Sequence, residues 1–166
     1  MSMLAEGMEG LSPIKGRELA EAAEVCLDHN GHDPGVELQI TGESETSRRL
    51  EFEPPTDQTR RTHADLQDAT EAGACAIAIG IARDQTGYQV LERARKGTGV
   101  DYWLGTTIGV FEARLEVSGI LRGTDAEVRR RIAQKRRQMR RSDGDGLPSY
   151  AAVAEFSTPL LCLERE

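Results

Sequence analysis

A chain of 166 residues with 38% hydrophobic and 4% aromatic content is the size of one domain, with a core built from Leu, Ile, Val and Ala. A formal net charge of −7 argues against nonspecific nucleic-acid binding by the surface as a whole. Cys26, Cys75 and Cys162 stand alone, outside any Cys/His ligand spacing, which argues against a structural zinc site or a disulfide framework. No basic segment followed by an apolar run opens the chain, and no apolar stretch is long enough to span a bilayer. The expectation is a cytoplasmic protein with no membrane partner.

Residues 1–15 are weakly patterned and predict a loose arm, or a segment ordered by a partner. From Gly16 to His29, Leu19, Ala22, Ala23, Cys26 and Leu27 recur at helical spacing, and Asn30-Gly31 ends the helix. His29 and His32 lie near that end and read as solvated side chains before they read as metal ligands. Val36–Thr41 and Arg48–Glu53 alternate in polarity and predict a β-hairpin with one wet face. Pro54-Pro55 stops it, and Thr56 is a good N-cap for a helix running over 57–84. The first half of that helix is polar and the second half is almost wholly small and apolar, which predicts burial on more than one side. Glu71 sits where the two halves meet.

Three strands follow, over 88–94, 100–104 and 111–120. In the third, Phe111, Ala113, Leu115 and Val117 share one face, and Glu112, Arg114, Glu116 and Ser118 share the other. Thr124 with Glu127 three residues on is a capping box, opening a helix that runs to about Arg141. Its apolar stripe is narrow (Val128, Ile132, Ala133, Met139) and the remainder is basic. A loop at 143–148 leads to a strand over 151–156, which 160–163 could continue. The acidic tail 164–166 is expected to be solvated.

This order predicts an α/β (mixed α+β) fold, a central mixed sheet flanked by helices. Residues 16–166 form a single domain, in which 16–55 adds a helix and a hairpin to a core over 56–158. Within that core, Glu71, Asp101 and Glu116 bring one carboxylate from a buried helix and two from neighbouring strands. Buried carboxylates need a cation or hydrogen-bond donors, and an oxygen-rich cluster suits Mg²⁺ or Mn²⁺. The basic helix 127–141 offers Arg129, Arg130, Arg136, Arg137 and Arg140 to the phosphates of DNA or RNA. The bland reading of the same residues stands beside this one. Asp101 and Glu116 could be members of ion-pair networks, the arginines a solvated face, Glu71 the end of a polar half-helix, and Trp103 a core residue.

The segment from Thr56 to Phe156 resembles the core of the PD-(D/E)XK, or restriction-endonuclease-like, nuclease superfamily. The resemblance lies in the order helix, three-stranded meander, helix, strand. It lies also in the acid of Val-Asp-Tyr-Trp (Asp101) and the acid of Leu-Glu-Val-Ser-Gly (Glu116). It implies a metal held by Asp101 and Glu116 with help from Glu71, and hydrolysis of nucleic-acid phosphodiesters. Ser118 stands where the family has its lysine, and a hydroxyl cannot supply that charge. Some members move the basic group to the following helix, which makes Lys135 the candidate replacement and a third catalytic residue. Without such a replacement the chain reads as an inactive nuclease-fold scaffold or interaction subunit, in a homodimer or with another protein. An acidic regulator that meets a basic partner is a further reading.

Overall fold

The structure, a computed structural model, describes residues 2–141 and 146–166. Five helices, α1 (Ser2–Glu6), α2 (Pro13–His29), α3 (Asp57–Thr62), α4 (Leu66–Thr86) and α5 (Asp125–Arg141), accompany seven strands among these residues. The strands are β1 (Val36–Gly42), β2 (Thr46–Leu50), β3 (Gln89–Arg93), β4 (Tyr102–Gly105), β5 (Ala113–Ile120), β6 (Ser149–Glu155) and β7 (Leu160–Arg165). They form one mixed sheet in the order β2-β1-β7-β6-β5-β4-β3. The β1/β7 and β5/β6 joints are parallel and the others antiparallel.

The split of the central strand β6 shows how the layers arise. Ala152 and Ala154 pack into the core built with α2 and α4, while Ala151 and Val153 pack with Val128, Ile132 and Met139 of α5. Alternation sends neighbouring residues to opposite faces, so a strand covered on both sides is apolar along its middle, as residues 150–154 of β6 are. The expected α/β class, a mixed sheet flanked by helices, is the class observed. The hairpin β1/β2 joins the same sheet through the parallel pairing of β1 with β7.

The structure differs from the sequence reading in several places: β2 ends at Leu50 rather than Glu53, and β5 begins at Ala113, which leaves Phe111 outside the strand. The segment 1–15 was expected to be loose, yet Leu4 and Leu11 are 2% and 3% exposed, and the Gly10 N–H donates to the Val90 carbonyl at 2.9 Å. Two apolar side chains and one edge-strand bond tie it down. The helix expected over 57–84 breaks at His63, because Asp65 caps a new helix by accepting from the N–H groups of Gln67 and Asp68. Residues 160–163 form a separate strand that turns back antiparallel on β6. The tail is held rather than solvated, since Arg136 donates to Glu164 and Glu166 at 2.7 and 2.5 Å, and Arg140 also donates to Glu166. The loop expected at 143–148 falls partly outside the described residues.

Close approach positions α4. A Cβ on Gly119 of β5 would lie 2.4 Å from the Thr70 carbonyl oxygen, next to Glu71. The bare strand therefore lets the start of α4 sit on the sheet. Gly119→Ala is expected to cost about 2 kcal/mol of unfolding free energy, read by urea denaturation; an unchanged midpoint would show that this contact has slack.

Candidate active site

Asp101 lies just ahead of β4. Its N–H donates to the Leu115 carbonyl at 2.9 Å, and its Oδ2 accepts the Val117 N–H at 2.8 Å. The side chain thus extends the β4–β5 pairing and is fixed across from residue 116. Leu115 and Val117 point into the core against α4, so alternation turns Glu116 to the α5 side. There it is 4% exposed. Lys135 Nζ donates to Glu116 Oε1 at 2.6 Å, and Gln138 Nε2 donates to the same oxygen at 3.2 Å.

One face of α5 runs along this strand. Residues 131, 135 and 138 follow one another at helical spacing. Arg131 Nη1 donates to Ser118 Oγ at 2.8 Å, one step along β5 from the Lys135–Glu116 contact. Two cations from α5 therefore stand beside Glu116 and Ser118. The sequence reading singled out Lys135 and passed over Arg131 and Gln138, although their spacing relative to Lys135 is the signal that could have found them.

Two clefts open around these groups. One of about 920 Å³ includes Glu71, Asp101, Glu116, Lys96 and Arg137 in its wall. The other, about 490 Å³, includes Glu71, Asp101, Ser118, Arg131 and Lys135. Glu71, Arg93 and Asp101 border both, so Glu71 and Asp101 share the partition between the two. Among the described residues, no group of three or more His, Cys, Asp or Glu side chains is arranged to hold a metal ion. Glu71 shares the larger cleft with the other two acids without completing a three-ligand set.

Burial pushes the Glu116 carboxyl above its ordinary range; Lys135 pulls it back and the neighbouring Asp101 carboxylate pushes it further up. Two carboxylates in mutual repulsion on a cleft with room for water suit a hard divalent cation, which takes few protein ligands and keeps several waters. The cysteines offer no nucleophile at neutral pH, because burial pushes Cys26 and Cys75 each up to about 11. His32 is structural, its Nε2 lying 3.0 and 3.1 Å from the Phe156 and Ser157 carbonyl oxygens.

The α5 arginines divide. Arg137 lines the larger carboxylate cleft. Arg136 and Arg140 clasp Glu164 and Glu166 of the C-terminal strand and tail. Arg130 lies 4.0 Å from Glu127, and Arg129 borders a separate depression beside β1 and β7. Of the five, only Arg137 faces the acids. The sequence reading missed Arg93 and Arg95, which line the larger cleft with Lys96. Glu155 is a further buried acid, 1% exposed. Burial pushes it up, but bonds from Ser157 and Thr158 outweigh that and hold it below the ordinary range, and the Gly123 N–H also donates to it at 3.0 Å. It anchors the turn after β6.

Among the described residues, no helix is long and apolar enough to cross a membrane. No protein-family model, curated protein or solved structure matches this chain.

Proposed function

We propose that this chain is a divergent PD-(D/E)XK protein of the cytoplasm that hydrolyses nucleic-acid phosphodiesters with Mg²⁺ or Mn²⁺. The carrying observation is the Asp101–Glu116 carboxylate pair, contacted by Lys135, on the wall of a cleft that also carries Arg93, Arg95, Lys96 and Arg137. The order α4, β3, β4, β5, α5, β6 supports the resemblance, since it is the helix, meander, helix, strand order of that superfamily.

Asp101 and Glu116 would hold the ion, which when bound polarises the scissile phosphodiester. Glu71, in the wall of the same cleft, would orient water by accepting hydrogen bonds. Lys135 brings from α5 the positive charge that Ser118 lacks, and Arg131 adds a second beside it. Arg137 and the cations of the β3–β4 connection hold backbone phosphates. The test is incubation of end-labelled single-stranded and duplex DNA and RNA with Mg²⁺ or Mn²⁺. Metal-dependent cleavage of any of them supports hydrolysis, and intact substrates throughout would overturn it.

The alternative, an inactive scaffold or interaction subunit, is favoured by one observation: Lys135 and Gln138 already satisfy Glu116 Oε1, as in a structural ion pair. It predicts no metal-dependent change in stability. A homodimer built on the exposed strand β2 belongs to that reading.

A further inference from the structure

The apolar surface is unevenly distributed. Among the described residues, four large apolar side chains are exposed, and Ile108, Val110 and Phe111 of these belong to the β4–β5 connection. Phe111 is 37% exposed and stacks on Trp103, with ring centroids 5.0 Å apart and planes within 14°. Tyr102 and Leu104 of β4 are buried in the core, so alternation turns Trp103 to the opposite face, the side that Glu116 also faces. Helix α5 packs on β5, β6 and β7 and does not reach β4. The Trp103–Phe111 stack therefore occupies a flank of the sheet that α5 does not cover, with Trp103 itself half-buried.

Its position relative to the acids is fixed by the strand. Asp101 and Trp103 are two residues apart along the chain, a separation of about 7 Å, close to the spacing between successive nucleotides of an extended strand. Beyond Asp101, the larger cleft carries Arg93, Arg95, Lys96 and Arg137, none of which makes an ion pair among the described residues. Other cations of α5 are engaged, with Lys135 on Glu116 and both Arg136 and Arg140 on the tail. Four cations without an ion pair among the described residues thus line the cleft at the start of β4, the strand that carries Trp103.

We infer that the Trp103–Phe111 stack is a platform for an unpaired nucleobase, so that the strand entering the Asp101–Glu116 cleft is single-stranded or locally open. This deepens the proposed function and rests on it. Stacking on an aromatic ring needs a free base face, which a duplex interior does not offer, while the cations follow the backbone of either form. An apolar loop alone would suit a protein partner equally well. The four cations of the cleft at the start of the same strand favour a polyanion.

Trp103 is the only tryptophan of the chain, so its fluorescence reports the platform directly. The intact protein is titrated in EDTA with short oligodeoxyuridylate, short oligouridylate and a fully paired duplex of matching length. A saturable quench by either single strand, with at least tenfold weaker binding of the duplex, is expected. Phe111→Ala is expected to weaken single-strand binding about tenfold, and Arg137→Ala to flatten its salt dependence. The relative strength of the two single strands reports which sugar the site takes. Duplex binding as tight as single-strand binding would overturn the inference, as would affinity unchanged by Phe111→Ala. It would equally fall if the loop joined two copies, seen as a dimer in sedimentation that Ile108→Ser dissolves while oligonucleotides leave Trp103 silent. Because no metal is present, the two proposals fail separately. Cleavage with a silent Trp103 removes the platform alone, and quenching without cleavage removes hydrolysis alone.

Discussion

Asp101→Asn and Glu116→Gln are each expected to lower metal-dependent cleavage by about a thousandfold or more. Metal stabilisation of transition-state charge is worth several kcal/mol, and each 1.36 kcal/mol is a factor of ten in rate. The two substitutions were chosen because they preserve shape. An Asn side-chain oxygen can still accept the Val117 N–H now bound by Asp101 Oδ2. A Gln oxygen can still accept from Lys135 and Gln138. What each variant removes is the negative charge. A large fall in rate with an unchanged melting midpoint identifies the carboxylates as metal ligands. Activity within tenfold of the parent in either variant would remove that acid from the site.

Lys135→Ala is expected to be among the most destabilising single substitutions in the chain, about 3 kcal/mol at pH 8. The side chains of Lys135 and Glu116 are 19% and 5% exposed, so losing the ammonium leaves a buried carboxylate with Gln138 as its remaining α5 donor. The pH dependence has a definite sign. The folded-state pKa of Glu116 is already raised, by burial first, and Lys135 opposes the rise. Removing Lys135 raises it further. The folded variant then keeps a proton that the unfolded chain has lost, so stability declines as pH climbs above the ordinary glutamate value of 4.5. Urea melts at pH 5 and pH 8 should show the smaller loss at pH 5. Adding Glu116→Gln to Lys135→Ala should recover most of the deficit, because the charge that needed a partner is gone. Equal losses at both pH values, with no recovery in the double variant, would mean that Lys135 acts through packing alone.

The fold was legible where its signals are local. Thr124 and Glu127 form the reciprocal cap that their spacing predicts, with the Thr124 N–H donating to Glu127 at 2.9 Å and the Glu127 N–H to Thr124 at 3.3 Å. The alternation of β5 separates Leu115 and Val117 from Glu116 as read. The break at His63 was hidden because the polar run 57–70 has no apolar stripe whose phase could slip, leaving the Asp65 cap as its one mark. Leu4 and Leu11 are too sparse to make a pattern, and their burial depends on surfaces made elsewhere in the chain. The placement of the two acids side by side was legible too. Asp101 and Glu116 are neighbours because Asp101 leads directly into β4, the strand paired with β5 in the meander. The division of α5 was not, since the C-terminal carboxylates that hold Arg136 and Arg140 reach them only through the pairing of β7 with β6. Arg131 escaped notice because its partner is a serine, which carries no charge to suggest a pair.

The central claim is that Asp101 and Glu116 share a divalent ion, and calorimetric titration with Mn²⁺ tests it most directly. The parent protein should bind one ion per chain, and Glu116→Gln should abolish the heat while retaining the fold. No binding at millimolar Mn²⁺, or equal binding by both proteins, would contradict the account and leave Lys135–Glu116 as a structural ion pair.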